Sequence, residues 1–82
     1  MNRTYWTVGA LVVVIPHALH KPWAGVVAAV TDNHVVVRND SGLDFRFWKS
    51  DGASVDEIDV ERAHRSRVVL ANSVEGRAAL SR

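Results

Sequence analysis

Alternation of apolar and polar positions divides the first two-thirds of the chain into short strands. Leu11 to Ile15 is an unbroken, mostly β-branched run preceded by Gly9 and stopped by Pro16, the pattern of a buried strand. His17 to Trp23, with Pro16 before it and Pro22 inside it, reads as a loop. Ala24 to Thr31 is a second strand, with Val26, Ala28 and Val30 on one face and Val27 and Ala29 on the other. Asp32-Asn33 then makes a tight turn, because both residues tolerate positive φ. His34 to Arg38 is a third strand, with Val35 and Val37 on one side and His34, Val36 and Arg38 on the other. After the Asn39-Asp40-Ser41-Gly42 turn, Leu43 to Trp48 alternates cleanly. It sends Leu43, Phe45 and Phe47 inward and Asp44, Arg46 and Trp48 outward, and Asp51-Gly52 marks a third turn.

The last third changes character. Ser54-Val55-Asp56-Glu57 has the form of a capping box, and acids precede bases as a helix dipole favours. Ile58 and Val60 nevertheless alternate like strand residues, so the expectation from about Val55 to Ala63 is a short helix or irregular turn. Val68 to Ala71 reads as a closing strand. Asn72 to Arg82 reads as a short helix, with Asn72 and Glu75 at cap spacing and Gly76 weakening it. Hairpins this short are marginal alone, so the sheet must curl on itself or pack on something. The expected fold is mainly β: a partly open, antiparallel five-stranded barrel over about 8–71, with a C-terminal extension over about 72–82. All of it forms one domain, 1–82.

Composition narrows this picture. Eighty-two residues with 48% hydrophobic and 23% charged are globular and enough for one thin core, with stability on the order of 5 kcal/mol. The chain has no cysteine, so neither a disulfide nor a thiolate zinc site can staple it, which fits a cytoplasmic location. Ten Lys/Arg against nine Asp/Glu give a formal charge of +1, against both a strongly electrostatic DNA binder and an acidic DNA mimic. The apolar run Val8 to Ile15 is far short of the roughly 20 residues of a membrane span. His17, His20 and Lys21 follow it without a small-x-small cleavage site, which argues against a signal peptide.

Lys21-Pro22-Trp23-Ala24-Gly25-Val26-Val27-Ala28-Ala29-Val30, followed by Val35-Val36-Val37-Arg38, resembles the core of an SH3-like barrel of the KOW or Tudor type. Gly25 and Val27 hold the matching places, where a glycine lets the strand bend at a barrel corner and small apolar residues fill a narrow interior. The likeness covers about residues 9–48, and the part after Asp51 fits it poorly. It implies a binding module for nucleic acid, ribosomal surfaces, modified side chains or peptides rather than an enzyme.

Candidate chemistry is sparse. His17 and His20 would share a helix face and could meet a metal, yet a closed site needs at least one further ligand, so no metal or cofactor is expected. No glycine-flanked serine elbow or phosphate-binding glycine loop appears. Asp51 to Glu61 holds five acids, which at such density form a solvated face. The candidate binding residues are Trp23 in its loop, then Arg46, Trp48 and Lys49 on the outward face of the fourth strand. Arg62, Arg65 and Arg67, with His64 among them, form the strongest basic cluster. Trp48 is a platform for stacking or anchoring if exposed, or is covered by the terminal extension. The basic cluster meets phosphates or acidic protein, or is neutralised by the acids of Asp56 to Glu61.

The leading expectation is a non-enzymatic module acting through protein contact, an adaptor or inhibitor. Its size and lack of cysteine match the style of small bacteriophage and mobile-element proteins, some of which, such as anti-CRISPR inhibitors, block a host complex. The alternative is a nucleic-acid-binding barrel using Arg38, Arg46, Trp48, Arg62, Arg65 and Arg67. A metal-dependent enzyme around His17 and His20 is a third class. Valine-rich edges and a thin core also predict a homodimer.

Overall fold

The computed structural model describes residues 6–17 and 20–81. Its strands are β1 (Leu11–Ile15), β2 (Trp23–Val30), β3 (His34–Arg38), β4 (Asp44–Trp48) and β5 (Arg67–Leu70), and the chain ends in helix α1 (Val74–Leu80). The strands form one antiparallel sheet in the order β4-β3-β2-β1-β5. The fold is therefore mainly β with a short C-terminal helix, and each strand lies within one residue of the span its alternation predicts.

The sheet curls around a small valine interior. Val12, Val14, Val27, Val35, Val37, Phe47 and Val68 are buried together, with Trp6, Ala10, Trp23, Val30 and Leu70 packed against them. Valine suits this space because its branched Cβ is already restricted in a strand and little rotamer freedom is lost on burial. The sheet is open, but residues 52–55 join its two edge strands at one end. Trp48 N–H donates to the Ala53 carbonyl (2.8 Å) and Val55 N–H to Arg46 (3.0 Å). On the other side Ser54 N–H donates to Ser66 and Val68 N–H to Gly52 (2.8 and 2.9 Å).

Strict alternation fails in β2. Val27 pairs with Val37, but Ala29 pairs with Val36, so Ala28 is the extra residue of a bulge. The extra residue resets the phase: Val27 and Val30 both reach the core, where an unbroken strand would put them on opposite faces. Leu43 and Phe45 also depart from the inward expectation. Phe47, beside which Ser54 pairs, is 2% exposed, whereas Phe45 is 38% and Leu43 59% exposed.

The segment 55–63 forms no α-helix; it is irregular and leads into a 3-10 turn at Arg62–His64. Ser54 is buried between the edge strands instead of capping a helix, and the Glu57 carboxylate accepts from Ser66 N–H rather than reaching back. α1 does form. Its cap is Ser73, one residue after the expected Asn72, and the Ser73 hydroxyl oxygen accepts from Gly76 N–H at 3.0 Å. The helix packs on β1 and β5 with Gly76 and Ala79 buried. It covers the outer face, where Val13, out of phase with the core residues Val12 and Val14, is fully buried. Among the described residues, no helix is long and apolar enough to cross a membrane.

Candidate functional site

The mouth of the curled sheet is built on Trp23 and Phe45. Trp23 opens β2 opposite Val14, and Phe45 lies in β4 opposite Val37. Both partners belong to the core, so the two aromatics share the inner face where the interior opens. Their ring centroids are 5.4 Å apart and tilted by 57°. This arrangement depends on Gly25: a Cβ there would stand 3.0 Å from the Trp23 ring and 2.8 Å from Val37 Cγ1.

The pair separates two hollows. One, of about 370 Å³, has Val14, Trp23, Phe45 and Phe47 on its apolar side and His17, Ser54, Asp56, Glu57 and Ser66 on its polar side. The other, of about 240 Å³, lies between the same rings and the Asn39-Asp40-Ser41 turn.

His17, Glu57 and Ser66 form a clasp at the rim. His17 N–H donates to Ser66 Oγ (3.1 Å), and Ser66 N–H donates to the Glu57 carboxylate (3.1 and 3.2 Å). His17 Nδ1 lies 3.0 Å from Glu57 Oε2 and 3.4 Å from Ser66 Oγ. A hydrolytic triad uses one imidazole nitrogen for the hydroxyl and the other for the acid. Here hydroxyl and carboxylate face the same nitrogen, so the cluster fastens the end of β1 to the start of β5 and does not activate Ser66. Arg65 holds the rim from behind, its Nε donating to the Val60 carbonyl (2.8 Å) and its Nη1 to that of Ser54 (3.2 Å).

The chain matches no family model, no curated protein and no solved structure.

The sequence-derived candidates separate over several surfaces. Trp48 is half-buried on the outer face, its ring 4.6 Å from that of His34, and the Arg62 guanidinium lies over it at 5.0 Å. Arg62 also forks onto Asp51 (2.8 and 3.2 Å). Hydrogen bonding from Arg62 holds the Asp51 carboxyl below its ordinary range, helped by Ala53 N–H and opposed by desolvation. Lys49 is adjacent in sequence, and its carbonyl accepts from the Trp6 indole (3.4 Å). Arg46 pairs with Asp56 at 2.5 Å, which raises the guanidinium pKa, and Arg67 pairs with Glu75 on α1. Arg62 and Arg67 are each met by an acid outside Asp56 to Glu61, and Lys49 and Arg67 line one hollow together with Ser50 and Asp51, both of which Arg62 bonds. Trp23 alone of the candidates lines the mouth.

Sequence reading missed Phe45, placed in the core, and Glu57, placed in a helix cap. His17 was visible as half of a His-x-x-His pair. Its ring does stand edge-on to that of His20 (6.2 Å), but Glu57 meets His17 as a hydrogen-bonding partner, and among the described residues no three His, Cys, Asp or Glu side chains are grouped to hold a metal ion. Two larger hollows lie elsewhere. One of about 500 Å³ runs over the exposed Val8, Leu11 and Val26 on the outer face, and one of about 440 Å³ runs between Trp6, β5 and the start of α1.

Proposed function

We propose that this chain is a small non-enzymatic binding module that acts through protein contact, with the Trp23–Phe45 mouth as its receiving surface. The observation that carries this reading is the contrast between the two kinds of candidate residue. Phe45 is exposed, Trp23 is partly buried beside it, and both border two hollows, while the candidate arginines are engaged within the chain. Arg38, Arg46, Arg62 and Arg67 each pair with a carboxylate, and Arg65 is turned onto main-chain carbonyls. A phosphate backbone would have to displace those partners, and phosphate contact dominates nucleic-acid affinity. The strand order and the small interior are in keeping with the SH3-like resemblance, whose members bind rather than catalyse.

Amide NMR titration with short single- and double-stranded DNA and RNA, at low and moderate salt, separates this reading from the nucleic-acid alternative. The expected response is flat at both salt concentrations. Salt-sensitive shifts clustered at Arg46, Trp48 and Arg62 to Arg67 would replace protein contact with nucleic-acid binding.

A further inference from the structure

Resting on the protein-contact reading, we infer that the mouth takes an arginine-bearing segment of its protein partner, with a guanidinium set against the Trp23–Phe45 pair. Charge complementarity points to this occupant. Neither hollow beside the rings is lined by lysine or arginine; their ionisable lining groups are Asp56, Glu57 and His17 on one side and Asp40 on the other. Asp40 is exposed and has no cationic partner among the described residues. Glu57 accepts from Ser66 N–H and faces His17, but a carboxylate offers about four lone-pair sites and so keeps capacity for a further donor. Asp56 is held at the rim by Arg46 yet remains more than half exposed.

Arginine fits this mixture better than lysine. Its planar, weakly hydrated guanidinium stacks on aromatic faces and can present its fork to a carboxylate in the same pose. The two hollows flank one ring pair, so an extended segment crossing the rings meets acid on both sides. A phosphate backbone meets like charge at the same place.

The test is an NMR titration of the labelled chain with capped Gly-Gly-Arg-Gly-Gly and with its citrulline counterpart, which keeps the shape and loses the charge. Shifts from the arginine peptide should centre on the Trp23 indole and the amides near Phe45 and Glu57. Citrulline should bind about tenfold more weakly. Asp40→Asn, which removes no side-chain hydrogen bond among the described residues, and Glu57→Gln, which keeps an acceptor for Ser66 N–H, should each weaken arginine binding several-fold. Equal response to both peptides, shifts centred elsewhere, or no shifts overturn the inference. Photo-crosslinking from position 45 separates this failure from that of the broader reading. Protein adducts from that position without an arginine response leave protein contact standing, and their absence removes both.

Discussion

Gly25 lies beneath the ring of Trp23. A Cβ at position 25 would approach Trp23 Cζ3 to 3.0 Å, Val37 Cγ1 to 2.8 Å and the Arg38 carbonyl oxygen to 2.9 Å. The missing side chain thus lets the indole lie flat against the sheet at the edge of the core. Gly25→Ala should cost about 1–3 kcal/mol by overpacking, since one of the three neighbours is backbone and cannot swing away. It should also move the indole. Chemical denaturation gives the first quantity and the Trp23 indole resonance reports the second; unchanged values for both would show that the site accommodates a methyl group.

Gly76 reverses the usual expectation for a helical glycine. Replacing helical Gly by Ala ordinarily stabilises by up to about 1 kcal/mol. Here the new Cβ would sit 2.1 Å from the Leu70 carbonyl oxygen and 3.0 Å from Ala71 Cα, so contact between α1 and the end of β5 outweighs propensity. Gly76→Ala should lose about 3 kcal/mol and lift α1 from Val13. Hydrogen exchange at β1 should rise in the variant, and a gain in melting temperature would contradict the packing argument.

Arg62 links a turn to an aromatic platform, and its effect depends on pH. The Asp51 carboxyl is held below its usual pKa, so the stabilisation from this pair is present above the unfolded carboxylate pKa of about 3.9 and disappears as pH falls through the folded value. The stability difference between the wild-type chain and Arg62→Ala should therefore be largest near neutrality and shrink in acid. A remainder should persist in acid from the guanidinium over Trp48. Carboxyl NMR should show the Asp51 midpoint rising in the variant. An unmoved midpoint would show that Arg62 is not its cause.

His34 carries a polar atom with no partner among the described residues. Its Nε2 is buried without a hydrogen bond, beside the Trp48 ring. Removing an unsatisfied buried polar atom while keeping an aromatic of similar shape should stabilise, so His34→Phe is expected to gain about 1 kcal/mol in urea denaturation. A loss of stability would show that Nε2 has a partner in solution.

The strands were legible because each is a short β-branched or alternating run, most of them closed by turn residues, as at Pro16, Asp32-Asn33 and Asn39 to Gly42. What alternation could not register was the bulge at Ala28, since one inserted residue leaves an all-apolar run looking unchanged. Ser54 to Glu57 misled for a different reason. The capping-box spacing is real, but long-range bonds from Ser54 and Glu57 to Ser66 prevailed over the local pattern. Trp23 was recognisable as a candidate aromatic, but its place at the start of β2 rather than in the loop before it was not. Phe45 was not recognisable, because its inward phase is correct and burial along β4 stops at Phe47. The basic cluster was legible as residues but its partners were not, since Arg62, Arg65 and Arg67 turn to Asp51, to carbonyls and to Glu75 respectively.

Phe45 and Arg46 are neighbours on opposite faces of β4, so the contact surface can be assigned by placing a photo-crosslinking amino acid at each position in turn and irradiating in cells. Position 45 should give discrete, nuclease-resistant protein adducts that diminish with Trp23→Ala, and position 46 should give few. Adducts formed chiefly from position 46 and removed by nuclease would contradict protein contact through the mouth and place a nucleic acid on the outer face.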